Sequence, residues 1–249
     1  MRLKSIDLVR CTAIVVMVVV HFVENLSGVV PTISGFGAPW FALLSGLSYR
    51  LWLDAQHARG VDDALITLRA VRRGLFLFGA GFVFNVVVWM PADTFNWDVL
   101  TFLGVGYLAL EWARRVRPSV VACACGVIFA LSPAARVAID YESFWSSGSY
   151  DPDFTLSDVL SGFFAAGYFP LFPWLCYPLL GFLVAGELFA ASATRRRSWV
   201  WCAGLGAVLL AASLGALALR GLVPALTSGV AGLWLGGWTN YPATPEFVC

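Results

Sequence analysis

Apolar runs of membrane-spanning length recur along this chain at about 11–30, 35–53, 74–90, 95–113, 119–139, 163–191 and 199–219, seven in all. A hydrocarbon core of roughly 30 Å takes about 20 residues of helix. Lipid offers no partner for backbone N–H and C=O groups, so only helices and closed barrels span it. Runs this long and this apolar predict an all-α, polytopic integral membrane bundle of about seven transmembrane helices. Composition agrees: the chain is 59% hydrophobic and 12% charged, with a mean hydropathy of +0.79, whereas soluble domains are nearer half apolar and a quarter charged. A bilayer is therefore its first partner, nucleic acid is not expected, and oligomerisation stays open.

Charge segregation sets the expected topology. Arg2, Lys4 and Arg10 precede the first run; Arg50, Arg59, Arg69, Arg72 and Arg73 surround the loop after the second; Arg114, Arg115 and Arg117 follow the fourth; Arg195, Arg196 and Arg197 follow the sixth. Fourteen of the sixteen basic residues thus occupy alternate loops. The positive-inside rule makes those loops cytoplasmic and the N-terminus internal. The opposite loops carry Glu24, Asp93, Asp98, Asp140, Glu142, Asp151, Asp153 and Asp158. A cleavable leader is disfavoured by Asp7 in the basic segment, by His21, and by the lack of a small-x-small site before Pro31.

Several stretches are ambiguous in kind. The outer segment at 140–162 mixes aromatics with acids and hydroxyls, which suits either stacking on sugar rings or seating at headgroup level. Pro170, Pro173 and Pro178 interrupt the sixth run and predict either a cavity wall or a kinked helix entry. Thr227 to Trp238 is too short to span and reads as interfacial or re-entrant. The six cysteines have no metal-ligand spacing and read as packing residues, so no metal is expected. Gly162 with Gly167, and Gly181 with Gly186, read as sites of close helix packing.

Ionisable groups inside spans mark function by default. His21 lies eleven residues after Arg10, roughly 16 Å of helix, so an Arg10 at the cytoplasmic rim puts His21 near the midplane. A neutral imidazole suits general-base work or nucleophilic catalysis, and equally a structural hydrogen bond to a neighbouring helix. Glu24 and Asn25 share its helix face and are candidates to orient the ring or bind a substrate. Asn85 and Asp98 are further substrate-binding candidates, or makers of interhelical hydrogen bonds. Arg69, Arg72 and Arg73 form a guanidinium cluster suited to phosphate oxygens, or a topological anchor alone. His57 reads as solvated.

Arg10 with ten intervening residues and His21 resembles the Arg-x10-His signature of membrane-bound acyltransferases of family three. The fuller pattern is more similar to the heparan-alpha-glucosaminide N-acetyltransferase catalytic domain family and its bacterial relatives. It is carried by Arg2-Leu-Lys-Ser-Ile-Asp-Leu-Val-Arg10, Trp97-Asp-Val-Leu-Thr-Phe-Leu-Gly-Val-Gly-Tyr107, Phe169-Pro-Leu-Phe-Pro-Trp174 and Tyr241-Pro-Ala-Thr-Pro245. The resemblance covers residues 1–249 as a single transmembrane domain in a plasma membrane, the inner membrane of a bacterium.

It implies transfer of an acetyl group from cytoplasmic acetyl-CoA to an extracytoplasmic sugar amine or hydroxyl. His21 then takes the catalytic position, Arg10 that of its basic partner, and Arg69-x-x-Arg72 with Arg73 the cofactor motif. Cys11 stands where the family usually has glycine. The family continues through further helices after the Tyr-Pro motif, so the chain is expected to lack C-terminal helices. Two rival classes remain: a transporter of a small molecule or lipid-linked sugar with His21 as proton relay, and a non-catalytic membrane binding protein. The paired broken helices usual in transporters are not evident.

Overall fold

The computed structural model describes residues 4–28, 34–89, 93–145, 150–153, 155–189 and 195–222, and every regular element among them is helical. The order is α1 (Lys4–Ser27), α2 (Ser34–Ala58), α3 (Asp63–Phe84), α4 (Val99–Ala113), α5 (Pro118–Ala138), the short α6 (Tyr141–Phe144), α7 (Leu156–Ser161), α8 (Leu171–Trp174), α9 (Cys176–Leu188) and α10 (Arg195–Leu222). Single π-helical turns extend α3 over Asn85–Trp89 and α7 over Gly162–Ala166. Among the described residues, four stretches are long and apolar enough to cross a membrane: Ile6–Val23, Asp63–Val88, Pro118–Ala138 and Leu156–Leu188. Val99–Ala113 and Cys202–Gly215 are shorter apolar helices. The chain is therefore an integral membrane bundle. The expected Thr227–Trp238 segment and the Tyr241-Pro motif lie outside the described residues.

Local chemistry sets the helix ends. Asp62 caps α3 by accepting from the backbone N–H of Ala64 at 3.0 Å and Leu65 at 3.3 Å. Asp98 caps α4, Thr155 caps α7, and Pro118 opens α5 where no backbone donor is needed. Gly60, at φ +66°, makes the left-handed turn that ends the α2 connection.

Packing rests on close approach. Between helices in lipid there is little hydrophobic drive, so contact surface depends on how near the backbones can come. A Cβ on Gly46 of α2 would fall onto the Pro178 carbonyl of α9, and one on Gly181 of α9 onto the Leu43 carbonyl of α2. On α3 and α4, a Cβ on Gly81 would crowd Thr101, and one on Gly104 would crowd the Phe78 backbone. These contacts run antiparallel. Around them Tyr49, Ile66, Leu110, Val121, Leu179 and Phe182 form a buried cluster near the basic end.

The proline-rich segment fills space instead of lining it. Trp174 is 1% exposed and packs with Ala42, Phe102, Leu103 and Tyr177. The aromatics of the outer segment also turn inward: Phe144 and Tyr150 are buried, and Trp145 packs against Tyr141, Tyr150 and Tyr168. Their ring faces are largely occupied by one another.

Candidate active site

At the basic end the α2 C-terminus, the α3 N-terminus and the α4 C-terminus converge. Glu111 is nearly buried and accepts from the Tyr49 hydroxyl at 2.7 Å, Arg114 Nε at 2.9 Å and Arg115 Nη2 at 3.0 Å. Arg114 also donates to Asp63 at 2.6 Å and to Thr67 at 2.8 Å. The bonds to Asp63 and Glu111 push the Arg114 guanidinium further toward its charged form. A buried carboxylate persists only when its lone pairs are met this fully. Arg50 is similarly matched by Asp54 at 3.1 Å and lies over the Phe182 ring at 5.2 Å. His57 is exposed, as expected, 3.8 Å from Asp63.

The candidate cofactor arginines are held differently. Arg69 donates from Nη1 to the Gln56 side-chain oxygen at 2.9 Å, and Arg73 lies over the Trp52 ring at 5.2 Å. Arg72 is exposed, with no carboxylate within ion-pair distance among the described residues. Arg10 donates from Nε to Ser48 Oγ at 2.8 Å, and its Nη1 lies 3.4 Å from Asp7.

That Arg10–Ser48 bond fixes the level of α1 against α2. The helices are antiparallel, with Met17 against Gly37, and α2 continues for ten residues beyond Ser48 to Ala58, roughly 15 Å. Arg10 thus lies level with Ser48, and His21 lies three helical turns further along α1.

At the acidic end, Asp98 and His21 attract one another electrostatically through space. Asp98 stands between Trp97, held at φ +54°, and the first turn of α4. A left-handed tryptophan persists where its surroundings over-determine it. Trp97 Nε1 donates to the Val159 carbonyl at 3.0 Å, and its ring lies 5.6 Å from Phe82 and 4.8 Å from Phe163. Cβ atoms on Gly162 or Gly167 would collide with it. Backbone N–H groups of Tyr168 and Phe169 donate to the carbonyls of Asn96 at 3.1 Å and Trp97 at 3.0 Å. Two stretches that carry the sequence resemblance, Trp97–Tyr107 and Phe169–Trp174, thus meet directly.

Asn85 sits where α3 passes into its π-helical turn, a feature often found at functional positions. It is fully buried, its Nδ2 donates to the Thr94 carbonyl at 3.4 Å, and its Oδ1 has no hydrogen-bond donor among the described residues. Since Gly81 lies against Thr101, Asn85 one turn later is level with the start of α4. Glu24 and Asn25 continue α1 one turn past His21, but their side chains lie outside the described residues. A wide apolar groove beside α3, walled by Leu75, Phe76, Val83, Phe84 and Val87, contains no ionisable group and is not the site. No cluster suited to a metal ion is present among the described residues.

Sequence reasoning missed Ser48, Trp52, Gln56 and Glu111. The first three recur every four residues, one stripe on one helix, and that spacing was a legible signal.

A helical bundle with four apolar helices long enough to span, arginines at one end and polar groups toward the other defines an integral membrane protein. The chain belongs to the heparan-alpha-glucosaminide N-acetyltransferase catalytic domain family, whose model matches residues 2–220. No curated protein and no solved structure matches it.

Proposed function

We propose that the protein moves an acetyl group from acetyl-CoA, bound at the basic and cytoplasmic end, to an amine or hydroxyl of a sugar at the opposite end. Arg69, Arg72 and Arg73 engage the donor's phosphates, and His21 acts on the acceptor. Acetyl-CoA is the acyl donor; no metal has a role. The observation that supports this reading is that α1 carries both groups: Arg10 bonds Ser48 on α2, the helix that also holds Arg69 and Arg73, and His21 lies three turns further toward the opposite end.

In the direct route, His21 takes a proton from the acceptor as its nitrogen or oxygen attacks the acetyl carbonyl. The carbon–sulfur bond breaks, and the departing thiolate recovers that proton from the imidazolium. Asp98 stabilises the imidazolium while it exists, as a carboxylate beside a catalytic histidine does elsewhere. In the two-step route the imidazole attacks the acetyl carbonyl, the carbon–sulfur bond breaks and the thiolate leaves with the imidazole's proton; the acceptor then attacks the acetyl-imidazole, its carbon–nitrogen bond breaks, and the freed imidazole takes up the acceptor's proton. Asn85, Glu24 and Asn25 are assigned to acceptor binding on either route. Asn85 contributes an unmatched buried oxygen that suits a sugar N–H or O–H.

Membranes holding the protein, given labelled acetyl-CoA and glucosamine, are expected to label the sugar. His21→Ala should lower that rate by about a hundredfold or more with protein level in the membrane unchanged. Full activity in His21→Ala removes the histidine from the mechanism; no labelling by the wild-type protein with any amino sugar or glycan removes the reaction.

A further inference from the structure

The arginines of the basic end fall into two groups by what holds them. Arg50, Arg114 and Arg115 are paired with Asp54, Asp63 and Glu111. Their charge is locally cancelled, and they tie helices together. Arg69 and Arg73 are held instead by an amide oxygen and an indole face, groups that fix a guanidinium in place without neutralising it. Arg10 is fixed mainly by a hydroxyl, with Asp7 at the longer 3.4 Å.

All three uncharged holders lie on α2. Ser48, Trp52 and Gln56 are spaced four residues apart, so they run along one helix face over roughly 12 Å. They reach across to α1 at the inner end and to α3 at the outer end. Arg69 and Arg73, themselves four apart, present their heads side by side. Gln56 is nearly buried, so this is a built contact.

We infer that this α2 stripe is a positioning device for the acyl donor: Trp52 and Gln56 hold Arg73 and Arg69 as a pre-ordered pair of uncancelled positive charges that receives a nucleotide-linked pyrophosphate, and Ser48 fixes Arg10, partly matched by Asp7, in line with them. This rests on the donor reading above and adds three residues to it. Holding the guanidiniums in advance removes the entropy that ordering long side chains costs on binding. Using neutral holders keeps the field that draws the anion. Arg72, between Arg69 and Arg73, supplies a further cation.

Gln56→Glu separates this role from a structural one. It replaces a neutral holder with a carboxylate, which strengthens the Arg69 contact and cancels its charge. A merely structural Gln56 predicts unchanged or improved donor binding. The positioning role predicts that CoA, titrated calorimetrically into the full-length protein in detergent, binds at least about tenfold more weakly, with KM for acetyl-CoA raised and kcat little changed.

Trp52→Leu and Trp52→Phe give a second comparison: Leu removes the ring beneath Arg73 and should raise the CoA dissociation constant several-fold, while Phe keeps a ring and restores it. If wild-type protein binds CoA and Gln56→Glu binds it equally well, the inference is overturned and the donor reading stands. Should Gln56→Glu fail to fold, equal affinities for the two Trp52 variants overturn it instead. Failure of wild-type protein to bind CoA overturns the donor reading itself.

Discussion

At the scale of single residues, what holds a charge decides what that charge can do. Glu111 has a buried position that a carboxylate tolerates only because Tyr49, Arg114 and Arg115 meet it from three directions. Arg114→Ala would withdraw one of these and also cut the links from α4 to Asp63 and Thr67 on α3. Loss of one partner from a buried pair typically costs about 3–5 kcal/mol, so a melt in detergent should show a large drop for Arg114→Ala and almost none for the exposed Arg117→Ala. Equal melting of both would deny the network a structural role. Asp98 poses the complementary test at the other end. Asp98→Asn keeps the side-chain oxygen that caps α4 but removes the charge facing His21; kcat is expected to fall while thermal stability changes little.

These residues also show what a sequence can reveal and what it hides. Arg10 and His21 were visible because three helical turns separate a cation from a histidine inside an otherwise apolar run. Asp98 was visible as an acid at a span boundary, but its electrostatic coupling to His21 was not, because α1 and α4 are far apart in the chain. Ser48 and Gln56 were not singled out, since their importance comes from arginines on other helices.

At the scale of elements, helix pairs are set by glycines. Gly162, Gly167 and Gly181 were legible as packing positions, and each abuts a tryptophan or a carbonyl that leaves no room for a Cβ. Gly46→Ala would force the α2 and α9 backbones apart; overpacking usually costs about 1–3 kcal/mol, and with rigid backbone opposite Gly46 there is little relief. Gly79, on the same helix as Gly81, faces open space. Gly79→Ala should therefore be neutral or slightly stabilising. A detergent melt comparing the two variants checks this, and equal effects would contradict the α2–α9 contact. The proline-rich segment is instructive in the other direction. Its prolines announced irregular backbone but left open whether it bordered a cavity, and only Trp174 and its aromatic neighbours show that it is packed solid.

At the scale of the whole molecule, the two ends differ in chemistry, and the account assigns each a side. Arginines gather where α2, α3 and α4 meet, while Asp98, Asn85 and the packed aromatic cap lie at the far end. The direct test is vectorial transfer in sealed vesicles of known orientation, with labelled acetyl-CoA supplied to one face and an amino sugar trapped at the other. The account predicts labelled sugar only when acetyl-CoA meets the basic face, and none in vesicles bearing His21→Ala. Labelling that ignores orientation, or that persists undiminished without His21, would contradict it.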